Sequence, residues 1–285
     1  MRTITAFIKR HAVLTYYALA FAISWGGIII VVGPGGVTGT TKPPDVLLPF
    51  VYLAMLAGPS VASLLLTGLV DGKAGFGELV SRLLKWRVGA RWYAAALLTA
   101  PLLMTAIPFA LSLISAVFLP GIVTTDDKVS FLLVGIVAGL LVGFFEELGW
   151  TGFAVPRLTL GHGVLATGLI VGLLHGAWHF PVFSGAGSSG ALSPALVLPV
   201  QLFSFLPAFR VLMVWVYDRT GSLLVAMLMH VSLTASTLIF QPVTTGAPLV
   251  IYDLVLGAAF WVIVAAVVVA NGRQLARQPL RSRAA

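Results

Sequence analysis

Glu146 and Glu147 stand side by side in LVGFFEELGWTGFAV, a stretch apolar enough to cross a lipid bilayer. A carboxylate at bilayer depth costs roughly 2.5–3.5 kcal/mol on insertion scales. Two in succession call for partners, water or a task. His175, His179 and His230, in other apolar segments, are the partners at hand. Adjacent helical residues point about 100° apart, so only one glutamate can face a shared cavity squarely. The other braces it or pairs with a cation. His175 and His179 are four apart and share a helix face. A carboxylate among imidazoles in a partly dry cavity suits general-base activation of water. Histidine N–H groups can then hold the oxyanion that forms when water attacks a carbonyl. The same groups suit zinc, because two His and a Glu with an open position form a known catalytic set, here Glu146, His179 and His230. The residue types leave both readings open, and the single-helix HExxH arrangement is absent.

These residues need helices that carry them into a membrane. The chain has 285 residues, a mean hydropathy of +1.04 and 9% charged residues. That composition predicts an all-α, polytopic membrane helix bundle forming a single membrane domain over 1–285. Apolar segments at roughly 12–33, 46–70, 91–119, 130–155, 164–183, 194–217, 221–241 and 248–270 predict about eight transmembrane helices. Pro101 and Pro108 predict a kink or tilt in the third. Pro194, Pro199 and Pro207 blur the boundaries of the sixth. Counted from the cytoplasmic ends, Glu146 and His230 lie at similar depths of roughly 13 Å, whereas His179 overshoots at roughly 22 Å. The stretch 76–89, FGELVSRLLKWRVG, predicts an amphipathic helix on the membrane surface.

Loop charge orients the bundle. One side collects Arg2, Lys9, Arg10, Lys73, Arg82, Lys85, Arg87, Arg91, Arg157, Arg219 and the tail residues Arg273, Arg277, Arg281 and Arg283. The other holds only Lys42 and Lys128, beside Asp45, Asp126 and Asp127. The positive-inside rule then puts both termini in the cytoplasm. The net charge of +8 reads as topology and lipid attraction, and the basic tail lacks the aromatic interleaving of a nucleic-acid binder. With no cysteine, the chain has no disulfide framework, thiol nucleophile or zinc–thiolate site. GAGSSG at 185–190 matches the dinucleotide-binding glycine pattern, but no strand precedes it, and it reads as a loop. Asp253 lacks a GxGD partner and reads as a helix-terminal acid.

The strings EELGWTGFAVPRL, HGAWHFPVF and RTGSLLVAMLMHVSLT resemble the CPBP family of CAAX-processing and bacteriocin-processing intramembrane proteases, also called Abi. The likeness covers a catalytic core of approximately 130–240 and carries three motifs in order. The first, Glu-Glu-x-x-x-Arg, falls on Glu146, Glu147 and Thr151, so threonine replaces the family's arginine. The second, Phe-x-x-x-His, falls on His175 and His179, with histidine in place of phenylalanine. The third, His-x-x-x-Asn-like, falls on His230 and Thr234, with threonine where asparagine is common. Arg157 and Arg210 are candidates to replace the missing cation.

The resemblance implies the catalytic set Glu146, Glu147, His179, His230 and Thr234. In it Glu146 activates water, His179 holds it, and His230 and Thr234 stabilise the oxyanion. Glu147 is supporting, and His175 packs beside the site. Descriptions of the family differ on metal; the expectation is no cofactor, with zinc as the alternative. The expected partners are membrane lipid and a peptide or lipidated-peptide substrate, with no nucleic acid. The expected location is the cell membrane of a prokaryote. Two other readings are a non-catalytic membrane scaffold or immunity factor and a proton-coupled transporter. The absence of an internal repeat weighs against the transporter.

Overall fold

The computed structural model describes residues 2–184 and 192–271. The GAGSSG loop and the four tail arginines lie outside the described residues. The protein is 84% helical, with no strands among the described residues. The helices run α1 Arg2–Arg10, α2 Ala12–Val32, α3 Pro34–Thr38, α4 Leu48–Val70, α5 Gly72–Leu83 and α6 Ala90–Ser112. They continue as α7 Gly121–Thr124, α8 Lys128–Gly149, a π-helical turn Trp150–Ala154, α9 Val155–Leu158, α10 Val164–Trp178 and α11 Phe180–Ser184. The last four are α12 Pro194–Phe203, α13 Leu206–Thr220, α14 Leu223–Phe240 and α15 Ala247–Ala270.

Among the described residues, seven helical stretches are long and apolar enough to span a membrane. The protein is an integral membrane helix bundle. Leu133, Ile136, Val137 and Leu140 of α8 are exposed, the surface expected of a helix that faces acyl chains.

Three expectations need correction. The segment at 164–183 is broken at His179, so α10 has 15 residues and reaches only about 22 Å. Pro181 follows directly and cannot continue the ladder. The segment at 194–217 is two helices, because Pro207 has no N–H to donate to the carbonyl of Phe203 and so cannot continue the ladder of α12. The amphipathic helix starts at Gly72 and stops at Leu83, short of 89. Beyond it, the carbonyl of Lys85 accepts from Ser222 Oγ at 2.7 Å and that of Trp86 from Tyr93 Oη at 2.5 Å. Tertiary partners replace helical ones there. The long third segment runs as one helix through Pro101 and Pro108 to Ser112.

Two glycine ladders bring the chemically important helices together. Gly135, Gly139 and Gly143 are spaced by four on α8 and face α14. A Cβ on Gly139 would lie 2.9 Å from the Val231 carbonyl oxygen. Gly168, Gly172 and Gly176 form the same ladder on α10; the first two face α13 and the third faces the end of α12. A Cβ on Gly172 would lie 2.5 Å from Pro207 Cα. In lipid no hydrophobic force drives helices together, so small residues that let backbones touch decide which helices pair. Gly172→Ala is therefore expected to destabilise the bundle by about 1–3 kcal/mol through overpacking against backbone. Gly161→Ala, where a Cβ meets nothing within 4 Å, serves as the control. Thermal unfolding in detergent distinguishes the two.

Candidate active site

Five elements converge on one buried cluster. The α8 helix supplies Glu146 and Glu147, and the π turn supplies Trp150 and Thr151. The α10 helix and its C-cap supply His175 and His179; α13 supplies Arg210 and α14 His230. Glu146, Glu147, His175, Arg210 and His230 are each at most 3% exposed.

Local backbone chemistry aims the acids. Ser60 and Ser63 of α4 donate to the carbonyls of Phe145 (2.6 Å) and Leu148 (2.7 Å), on either side of the glutamate pair. Directly after it the helix widens into the π turn, a feature that often marks functional sites. That turn places Trp150 so that its Nε1–H donates to Glu146 Oε2 at 3.1 Å.

The two glutamates have different neighbours. His175 Nε2 lies 2.7 Å from Glu146 Oε2, the oxygen that Trp150 also approaches. Both donors end on Oε2, which leaves Oε1 without one. His230 Nε2 is 3.9 Å from the same Oε2. Glu147 instead receives Arg210 Nη1 at 2.6 Å and His230 Nδ1 at 2.7 Å on Oε1, and the Thr151 hydroxyl on Oε2. Glu147 is thus the acid paired with a cation, and that cation is Arg210. Arg157 is engaged elsewhere, with Asp71 and the Phe153 carbonyl.

Arg210 also fixes a tautomer. Its Nε–H donates to His175 Nδ1 at 3.0 Å, and a guanidinium can only donate. His175 Nδ1 is therefore the acceptor, and its proton sits on Nε2, facing Glu146. His175 does more than pack beside the site: it links Arg210 to Glu146. At His230, a hydrogen on Nδ1 directed at Glu147 leaves the neutral ring with no hydrogen on Nε2. His230 can then donate from Nε2 only as an imidazolium.

His179 is half-buried at the C-cap of α10, its Nδ1 3.0 Å from the His175 carbonyl and its ring 4.5 Å from that of His175. Thr234 is half-buried one turn beyond His230 and makes no hydrogen bond. These two mark the more open side of the cluster. Trp150 and Trp178 pack edge-on at 5.6 Å and wall off the other side. Asp253 plays no part; it is buried at the seventh position of α15, not exposed at a helix end.

Residues 128–236 match the family model described as type II CAAX prenyl endopeptidase Rce1-like. That stretch is similar to an Rce1-like domain. The match is consistent with a CPBP family protein, and supports the intramembrane protease reading at the level of the family alone. No curated protein matches the chain. The matched stretch opens at the first residue of α8 and closes within α14, so it contains all the clustered residues.

Among the described residues, Glu146, His175 and His179 form the one His/Asp/Glu group with ligand atoms within 4.8 Å of one another. That set differs from the expected zinc alternative, which used His230. It fits a metal poorly. His175 points its N–H at Glu146 and its other nitrogen at an arginine, so a dication would break the first bond beside a fixed positive charge.

Proposed function

We propose that the protein is an intramembrane endopeptidase that hydrolyses peptide bonds of membrane-associated or lipidated substrates with water activated by Glu146. The observation that carries this reading is the unequal environment of the paired acids. Glu147 is tied up by Arg210, His230 and Thr151, whereas Glu146 keeps one oxygen free of donors. An acid held by the chain and open at one oxygen suits the role of general base.

In the proposed reaction Glu146 Oε1 takes a proton from water as its oxygen attacks the scissile carbonyl. The N–H groups of His175 and Trp150 keep the carboxylate in one orientation. His179, with Nδ1–H donating to the His175 carbonyl, offers Nε2 as an acceptor that holds the same water from the more open side. His230 in its imidazolium form, backed by Glu147, donates from Nε2 to the oxyanion and then to the leaving amine. Thr234 supplies a hydroxyl one turn away. No step calls for a metal or another cofactor.

Loop charge supports a cell-membrane protein with both termini in the cytoplasm. The expected substrate is a membrane-tethered peptide. The test is cleavage of a lipidated peptide library by purified protein in proteoliposomes, with and without a chelator. Cleavage should persist in chelator. Chelator-sensitive cleavage would overturn the metal-free mechanism, and no cleavage of any tethered peptide would favour the scaffold reading.

A further inference from the structure

The ends of three membrane-crossing stretches meet at one face of the bundle, far from the histidine cluster in function and chemistry. They are the junction of α1 with α2, the C-terminus of α4 at Val70, and α9 at the close of the span that carries the glutamates. Between them lies a cleft of about 450 Å³, lined by Lys9, Arg10, His11 and Arg157 together with the apolar Leu14 and Val70. Because every contributing element is a span end, the cleft sits where the hydrocarbon core gives way to headgroups.

The charges in this cleft are of two kinds. Arg157 is fixed: it pairs with Asp71, donates to the Phe153 carbonyl at 2.8 Å and lies 3.6 Å over the Phe153 ring. Asp71 offsets its charge. Lys9 and Arg10 are exposed in the last turn of α1, and among the described residues their side chains make neither a hydrogen bond nor an ion pair, so two cations remain unmatched there. His11 lies against Phe7, the ring centroids 4.7 Å apart and the rings tilted, and adds a polar ring to the lining. The rest of the lining is apolar, and Leu14 of α2 is 66% exposed.

The geometry points to a binding site for an anionic phospholipid, its phosphate held by Lys9 and Arg10 against the fixed Arg157 and its acyl base lying along Leu14 and Val70. The shared chemistry is that of a phosphate group, which could come from a lipid or from free phosphate. The apolar lining at headgroup depth favours the lipid, since a free ion would leave that lining without a partner. Basic pockets between transmembrane helices at this level bind anionic headgroups, and each surface cation contributes measurably to that attraction.

The experiment uses the full chain in dodecyl maltoside micelles and follows thermal unfolding by tryptophan fluorescence. Phosphatidylglycerol, phosphatidylcholine or inorganic phosphate is titrated separately. Phosphatidylglycerol should raise the unfolding temperature at concentrations where phosphatidylcholine does not, and inorganic phosphate should leave it unchanged. The double variant K9Q/R10Q should need about tenfold or more phosphatidylglycerol for the same shift. R87Q/R91Q removes equal charge away from the cleft and should behave as wild type. Equal loss in both double variants would show diffuse surface attraction and overturn the site. Protection by inorganic phosphate that depends on Lys9 and Arg10 would overturn the lipid assignment.

Discussion

Glu146→Gln is expected to lower kcat/KM for a tethered peptide by about 10²–10⁴-fold, the range supplied by a positioned general base. The fold should be retained. Glutamine keeps an oxygen where His175 and Trp150 donate, so both contacts survive, and only the ability to take a proton is lost. It also removes a buried charge next to Glu147, which costs the bundle nothing. Glu147→Gln should behave differently. It leaves the buried Arg210 without a counter-charge, and breaking a buried pair from one side typically costs about 3–5 kcal/mol. Cleavage assays and thermal unfolding together therefore separate the two acids. Glu146→Gln should be inactive and stable; Glu147→Gln should be impaired in both. A Glu146→Gln protein that still cleaves at the wild-type rate would remove the general base from the proposed mechanism. Equal loss of stability in both variants would mean that the glutamates form one structural network and not a base with its support.

Much of this architecture was legible because lipid simplifies the sequence code. Charged residues are so costly in the core that the six ionisable side chains of the cluster stand out one by one. Length and hydropathy locate the helices that hold them. What the spacing does not show is which residue pairs with which. Arg210 lies in an apolar segment dense with prolines, and nothing in its neighbourhood indicates that α13 turns it towards α8. His175 occupies a motif position where aromatic packing was the natural expectation. Its bond to Glu146 follows from where Arg210 sits, a fact belonging to another helix. The π turn has no sequence signature. The glycine ladders, by contrast, were visible. Gly135, Gly139 and Gly143, and Gly168, Gly172 and Gly176, each repeat every four residues, the spacing that marks close helix contact in lipid. Read in that way, they would have identified α8 and α10 as the helices closely approached by neighbours.

The relocated arginine can be moved back. Arg210→Met should lose about 3–5 kcal/mol, because Glu147 is left buried and unpaired and His175 Nδ1 loses its donor. Arg210→Lys should not rescue it: an ammonium is a single point and cannot serve Glu147 and His175 together as the guanidinium fork does. Adding Thr151→Arg should help. Residue 151 is four after Glu147 on the same helical run, already touches its carboxylate, and is the position where the resembled motif carries arginine. The Arg210→Met/Thr151→Arg protein should therefore regain most of the lost unfolding temperature. Its activity should return only in part, because His175 is no longer held in one tautomer and can turn its bare nitrogen towards Glu146. Replacing His175 by Phe in that background removes the unheld imidazole and should raise activity above that of the double variant. Thermal unfolding and kcat/KM, measured on the same four proteins, follow the two halves of the exchange separately. Stability restored without any gain in activity on adding His175→Phe would limit Arg210 to a structural role. Full stability and activity in Arg210→Met alone would mean that the Glu147–Arg210–His175 chain does not hold the site together.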